Sequence, residues 1–219
     1  MKILALEFSP PERSVAVIID GQTCGYAIDR TPQGSRAFAL ISAALKEAKL
    51  EPAHIECIAL GLGPGSYAGT RTAIAIAQGW EMARGVKLLG VNSADAIARI
   101  AQRSGVLGTA NLVFDAQRDE VYSIRYAIDR LELKLCDSFQ MLTSDEEARR
   151  RSEGEVFVKA DAGSWGAGDI PVLFSEARVI GEIASDRHNY IPGHQLELVY
   201  LRKAEFIKAR PAKFSVPES

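Results

Sequence analysis

The chain has 219 residues, 47% of them hydrophobic and 25% charged, and its 26 basic and 28 acidic side chains leave a formal net charge of -2. That composition suits a globular protein of one large domain or two small ones, and the absence of a long basic block argues that any RNA is held through a partner. Cys24, Cys57 and Cys136 are too few and too far apart for a disulfide framework or a CxxC metal pair, and no apolar run nears the ~20 residues that span a bilayer, so a reducing cytoplasm is the expected setting.

Short branched segments at Ile3 to Phe8 and Ser14 to Asp20 read as strands, split by the turn residues Ser9-Pro10-Pro11-Glu12-Arg13, with a third strand at Gln22 to Ile28. From Ala37 to Ala48 the apolar residues recur at helical spacing, leaving Lys46, Glu47 and Lys49 for solvent. A buried strand at Ile55 to Leu60, a helix from Tyr67 to Arg84, a strand at Lys87 to Val91 and a helix capped by Asn92 or Ser93 complete a mixed α/β unit. A second round follows, with strands at Asn111 to Asp115, Glu120 to Ile128 and Leu131 to Phe139. A charged connection over Glu146 to Ser152, strands at Val156 to Ala160 and Val172 to Phe174, and a helix over Ser175 to Asp186 close it. The recurring three-strand start suggests duplication, with subdomains at 1–106 and 107–219.

The segment Gly61-Leu-Gly-Pro-Gly-Ser-Tyr-Ala-Gly69 stands between a strand and a helix. Glycine permits tight turns and close backbone approach, and the N–H groups of a helix start can hold an anion. No Lys-Ser or Lys-Thr pair follows, so this is no Walker loop, and a turn serving geometry is the plainer reading. Gly69, Ala73 and Ala77 fall four apart and form a small-residue stripe, which suits either close packing on the chain's own sheet or contact with another helix.

These residues carry a resemblance. GPGSYAGTRTAIAIAQGW with GVKLLGVNSADAIA resembles the TsaB (YeaZ) family pattern GPGSFTGLRIG followed by GVSSLEALA. Ile3 to Glu7, Asp115-Ala-Gln-Arg-Asp-Glu-Val-Tyr122 and Tyr200-Leu-Arg202 resemble the family's first strand, its DARRGEVY strand and its C-terminal YLR. The resemblance implies a duplicated actin-like (ASKHA, RNase H-like) α/β fold with a divergent second half. It also implies a non-catalytic role in making threonylcarbamoyladenosine beside the tRNA anticodon. The implied partners are a TsaD-type catalytic subunit, a TsaE-type ATPase, a second copy of the chain when alone, and tRNA indirectly.

The partner face implied by the resemblance lies on two helices, about Arg36 to Leu50 and Tyr67 to Arg84. Its candidate residues are Phe38, Ile41, Leu45, Tyr67, Gly69, Thr70, Arg71, Ala73, Ile74, Ala77 and Trp80. No cofactor is expected to be intrinsic to the chain, with ATP a candidate at or near the interface of the complex. The sequence departs from the family at Glu7-Phe8, where Asp-Thr is usual, at Ser9-Pro10-Pro11 in place of a phosphate turn, and at Tyr67-Ala68-Gly69-Thr70-Arg71 for Phe-Thr-Gly-Leu-Arg.

Glu7, Ser9, Gly63, Gly65, Ser66 and Asp115 are candidates for a cleft or anion site, with Asp119 beside them. Glu7 on an apolar strand needs a partner, and a hydrogen bond to a neighbouring loop is the favoured one. No catalytic residue is assigned. His54, His188 and His194 lack metal-ligand spacing, so no metal is expected either. Arg149-Arg150-Arg151 after Asp145-Glu146-Glu147 reads as a solvated connection, and the basic tail from Arg202 to Lys213 is a candidate contact for RNA phosphates. The rival readings are a nucleotide-binding ATPase or phosphotransferase of the actin-like superfamily, a peptidase, and a divergent paralogue with a different partner.

Overall fold

The computed structural model describes residues 1–31, 37–115, 121–160, 165–166 and 170–201. Strands β1 (Lys2–Glu7), β2 (Arg13–Ile19) and β3 (Gln22–Asp29) form an antiparallel meander. β4 (Cys57–Gly61) and β5 (Lys87–Val91) join in parallel beyond β1, which gives the order β3-β2-β1-β4-β5. A second sheet begins in the same way. Here β6 (Gly108–Asp115), β7 (Val121–Ile128) and β8 (Leu133–Met141) meander and β9 (Val156–Lys159) lies parallel to β6, in the order β8-β7-β6-β9.

Alternation along the strands decides what each face of the first sheet meets. Leu4 and Leu6 of β1, Val15 and Val17 of β2 and Ile58 and Leu60 of β4 pack under α1 (Ala37–Glu47) and α2 (Tyr67–Arg84). Ile3, Ala5, Ala16, Ile18, Cys57 and Ala59 point the other way, into α5 (Ala177–Ser185). With both faces covered, the strands read as nearly continuous apolar runs.

The helices cross between halves. α3 (Ser93–Arg103) follows the first sheet, yet Ala94, Ile97, Ala98 and Ala101 pack against Leu112, Phe114, Ile124 and Tyr126 of the second. α5 follows the second sheet and packs on the first. Its Gly181 has no room for a side chain, because a Cβ there would stand 2.4 Å from Cγ1 of Ile18.

Two expectations are corrected. Residues 144–152 are no loose connection but α4 (Ser144–Ser152). The Thr143 hydroxyl caps it by accepting from the Glu146 N–H, and acidic residues in its first turn and arginines in its last oppose the helix dipole. Arg150 is not solvated: it is 2% exposed, and it donates to Asn111 Oδ1 at 2.7 Å, Ser123 Oγ at 3.0 Å and Glu146 Oε1 at 2.8 Å. Val172 to Phe174 forms only an isolated parallel bridge from Val172 to Lys159. The basic tail and Asp119 lie outside the described residues.

Arg150 holds α4 over the polar face of the second sheet, so Arg150→Ala should destabilise the protein by about 3 kcal/mol, since it strands two buried polar groups and breaks an ion pair. Urea unfolding measures this, and a change under about 0.5 kcal/mol would mean water replaces the guanidinium there.

Candidate functional site

The glycine segment is shaped by the loop that follows β1. A Cβ on Gly61 would stand 2.0 Å from Glu7 Oε2, one on Gly65 2.4 Å from the Ser9 carbonyl oxygen, and one on Gly69 1.9 Å from the Phe8 carbonyl oxygen. All three distances are far inside van der Waals contact, and Gly65 also has φ of 151°, a backbone region that favours glycine. The Ser66 N–H at the start of α2 donates to the Ser9 carbonyl at 2.7 Å. A loop of the chain itself thus occupies the place where an anion would approach this helix start.

Glu7 lies behind that loop, fully buried. It accepts from the Ser9 N–H at 2.8 Å and from the Ser93 hydroxyl at 2.8 Å. Ser93 opens α3 and its Oγ in turn accepts from the Gly63 N–H at 3.2 Å. Burial pushes the Glu7 carboxyl above its ordinary value, while hydrogen bonds from Ser9, Ser93 and Ser175 pull the other way.

In front of the loop a cavity of about 560 Å³ opens between the two halves. Ser9, Gly63, Gly65, Ser66 and Asp115 all line it, together with Pro10, Pro11, Ile97, Phe114, Ser175 and the segment 198–201. Five of the six cleft candidates therefore converge, and Glu7 does not: it supports the wall from behind. Tyr67 and Thr70 also line this cavity, and Arg71 donates to the Tyr67 hydroxyl at 3.0 Å.

The helix face needs correction. Ile41, Leu45, Gly69, Thr70, Ala73, Ile74 and Ala77 are buried within the chain, most of them in the core under α1 and α2, and are closed to any partner. The stripe at 69, 73 and 77 is the inner face of α2. Its outer face carries a second set of small residues, Ala68, Thr72, Ala75 and Gly79, exposed or half-buried. Thr72, Ala75, Ile76, Gly79 and Trp80 of α2 and Ala37 and Phe38 of α1 line a shallow groove of about 410 Å³, with Phe38 72% exposed. Sequence periodicity missed the outer set because both faces of α2 are small.

His54 and His194 are exposed in separate short turns, and the described residues contain no group of three or more His, Cys, Asp or Glu side chains able to hold a metal. No described helix is long and apolar enough to cross a membrane.

The family model for TsaD, tRNA N6-adenosine threonylcarbamoyltransferase, matches residues 35–143. An uncharacterized protein of Mycobacterium tuberculosis is 34% identical over 99 residues, 45% of this chain and 44% of that protein, so the match spans less than half of the relative's length. The tRNA threonylcarbamoyladenosine biosynthesis protein TsaB of Escherichia coli is 30% identical over 131 residues, 59% of this chain and 56% of its own. That of Haemophilus influenzae is 25% identical over 175 residues, 76% and 74%. Among solved structures, YeaZ from Pseudomonas aeruginosa superposes with a TM-score of 0.73 at 24% identity, covering 91% of this chain and 99% of that one. The fold is the duplicated, actin-like mixed α/β architecture.

Gly69 and Gly79 separate the two faces of α2. Gly69→Ala drives a Cβ into the Phe8 backbone and should cost about 2 kcal/mol or more. Gly79 has nothing within 4 Å of an added Cβ, so Gly79→Ala should stabilise by about 0.5–1 kcal/mol. Thermal melting reads both, and equal melting points would refute the inner and outer assignment.

Glu7 predicts a pH dependence. A carboxyl held above its ordinary 4.5 binds its proton more tightly in the folded state, so its contribution is full below 4.5 and is lost as the pH rises through the folded value. Glu7→Gln lacks this titration. The wild type should therefore lose stability relative to Glu7→Gln between pH 4.5 and neutrality in urea unfolding, and a constant difference across that range would show an unshifted carboxyl.

Proposed function

Because the chain belongs to the TsaB (YeaZ) family, we propose that it takes part in forming threonylcarbamoyladenosine in tRNA as a subunit without chemistry of its own, docking a TsaD-type catalytic subunit. The observation that carries this reading is the exposed α1–α2 groove, where Phe38 stands open beside the small outer residues of α2. Apolar surface of this kind, flanked by alanine and glycine that permit close backbone approach, suits a partner helix. The filled start of α2, with Ser9 accepting from Ser66, supports a role other than phosphate transfer.

Docking holds the catalytic subunit in its active arrangement, and a TsaE-type ATPase completes the assembly. Alone, the same face pairs with a second copy of the chain, since a self-complementary apolar patch invites a twofold dimer.

The test is reconstitution of tRNA modification with the TsaD-type subunit, the TsaE-type ATPase and the threonylcarbamoyl-adenylate synthase, with and without this chain. Product should require the chain. Ala75→Glu, on the exposed face, should melt like the wild type yet fail to co-sediment with the catalytic subunit, and product should drop to the level without the chain. Ala73→Glu, on the buried face, should unfold instead because it buries an unpaired charge. Full binding by a folded Ala75→Glu variant would place the contact elsewhere.

A further inference from the structure

The mouth of the cavity between the halves carries features that helix docking does not use. Tyr67 and Tyr200 stand there 52% and 61% exposed, with ring centroids 6.0 Å apart. Arg71, one turn along α2, places its guanidinium 5.3 Å from the centroid of the Tyr67 ring. Behind them the cavity of about 560 Å³ has apolar walls at Ile97 and Phe114 and hydroxyls at Ser66 and Thr70. That combination of apolar walls and a few polar groups suits a flat ring with a polar edge.

The charge pattern of the chain points to the same corner. The segment 198–201 lines the cavity, and the sequence that continues from it carries Arg202, Lys203, Lys208, Arg210 and Lys213 against only Glu205 and Glu218, in a chain whose net charge is -2. Positive charge is thus concentrated where the chain leaves the two tyrosines. Aromatic faces beside a basic strand form the arrangement that binds single-stranded nucleic acid, bases stacking and phosphates meeting cations.

We propose that this corner binds single-stranded RNA: an unstacked base enters the cavity against Tyr200 and Tyr67, and the adjoining phosphates meet Arg71 and the basic sequence after Leu201. The proposal deepens the reading of the chain as a subunit of tRNA modification, and gives it a direct hold on the RNA rather than one through its partner alone. The site lies at the N-terminal end of α2, and the groove around Ala75 and Gly79 stays open to a partner.

The experiment uses the isolated full-length chain and a fluorescently labelled single-stranded RNA of about ten nucleotides, followed by anisotropy over a series of salt concentrations, with an RNA duplex for comparison. The single strand should bind more tightly than the duplex. Tyr200→Ala should weaken binding at least about fivefold, the loss of one stacked base, and Tyr200→Phe should restore it. Arg71→Ala should reduce the slope of log K against log salt by roughly 0.7, the loss of one phosphate contact. Melting curves confirm that these exposed positions leave the fold intact.

Failure of the wild type to bind would overturn the proposal, and, since no catalytic subunit is present, would leave the docking reading standing. Binding lost on replacing Lys203, Lys208, Arg210 and Lys213 by Ala but untouched by Tyr200→Ala would also overturn it, because the cavity would then hold no base. Displacement of the RNA by free ATP at micromolar concentration would assign the cavity to a mononucleotide instead.

Discussion

The structure turns on the press of one loop against one helix start. Glu7, Phe8 and Ser9 approach Gly61, Gly65 and Gly69 so closely that none of the three glycines has room for a methyl group. This contact fixes the rotation of α2 about its axis. Once Gly69 faces the Phe8 carbonyl, Ala73 and Ala77 must follow it inward at the helical repeat, and Ala68, Thr72, Ala75 and Gly79 must look out. The same contact spends the Ser66 N–H on Ser9. A helix start that would otherwise attract an anion is thereby used to lock the fold.

Glu7 extends this lock across the molecule. Its carboxyl gathers Ser9 from the loop after β1 and Ser93 from the start of α3, and Ser175 beside it precedes α5. α3 and α5 are the helices that cross between the halves, so the buried acid sits where their starts meet the first sheet. Burying a carboxyl is costly unless its oxygens are satisfied, and a protonated or hydrogen-bonded Glu7 meets that condition with hydroxyls alone. A cation there would have to be desolvated as well, and the serines avoid that cost.

Sequence reading was strongest where pattern and punctuation agreed. The ends of α2 and β5 match the expected Tyr67 to Arg84 and Lys87 to Val91, because a glycine turn and Gly85 bracket the helix and branched residues fill the strand. Ser9, Gly63, Gly65, Ser66 and Asp115 were legible as one cleft. α4 was not, since it has no apolar stripe: its order comes from charges placed along the dipole and from Arg150 reaching Asn111 and Ser123, residues distant in sequence. The partners of Glu7 escaped for the same reason, as Ser93 lies 86 residues away. The inner stripe of α2 looked like a contact face because periodicity reports that a stripe exists and says nothing about which side the sheet takes.

That ambiguity reflects a physical feature of α2. A helix with small residues on both sides can lie close to its own sheet and to a neighbour at once, and its backbone is sandwiched between the two. Large side chains on either face would hold one of them off. If the outer face serves both a catalytic partner and a second copy of the chain, the two assemblies compete for the same alanines and glycine. Their proportions then follow mass action, and a more tightly self-associating chain would be a poorer partner at the same concentration. The modest apolar content of the groove, with Phe38 its only large, fully open side chain, fits a face that must release one neighbour to accept another.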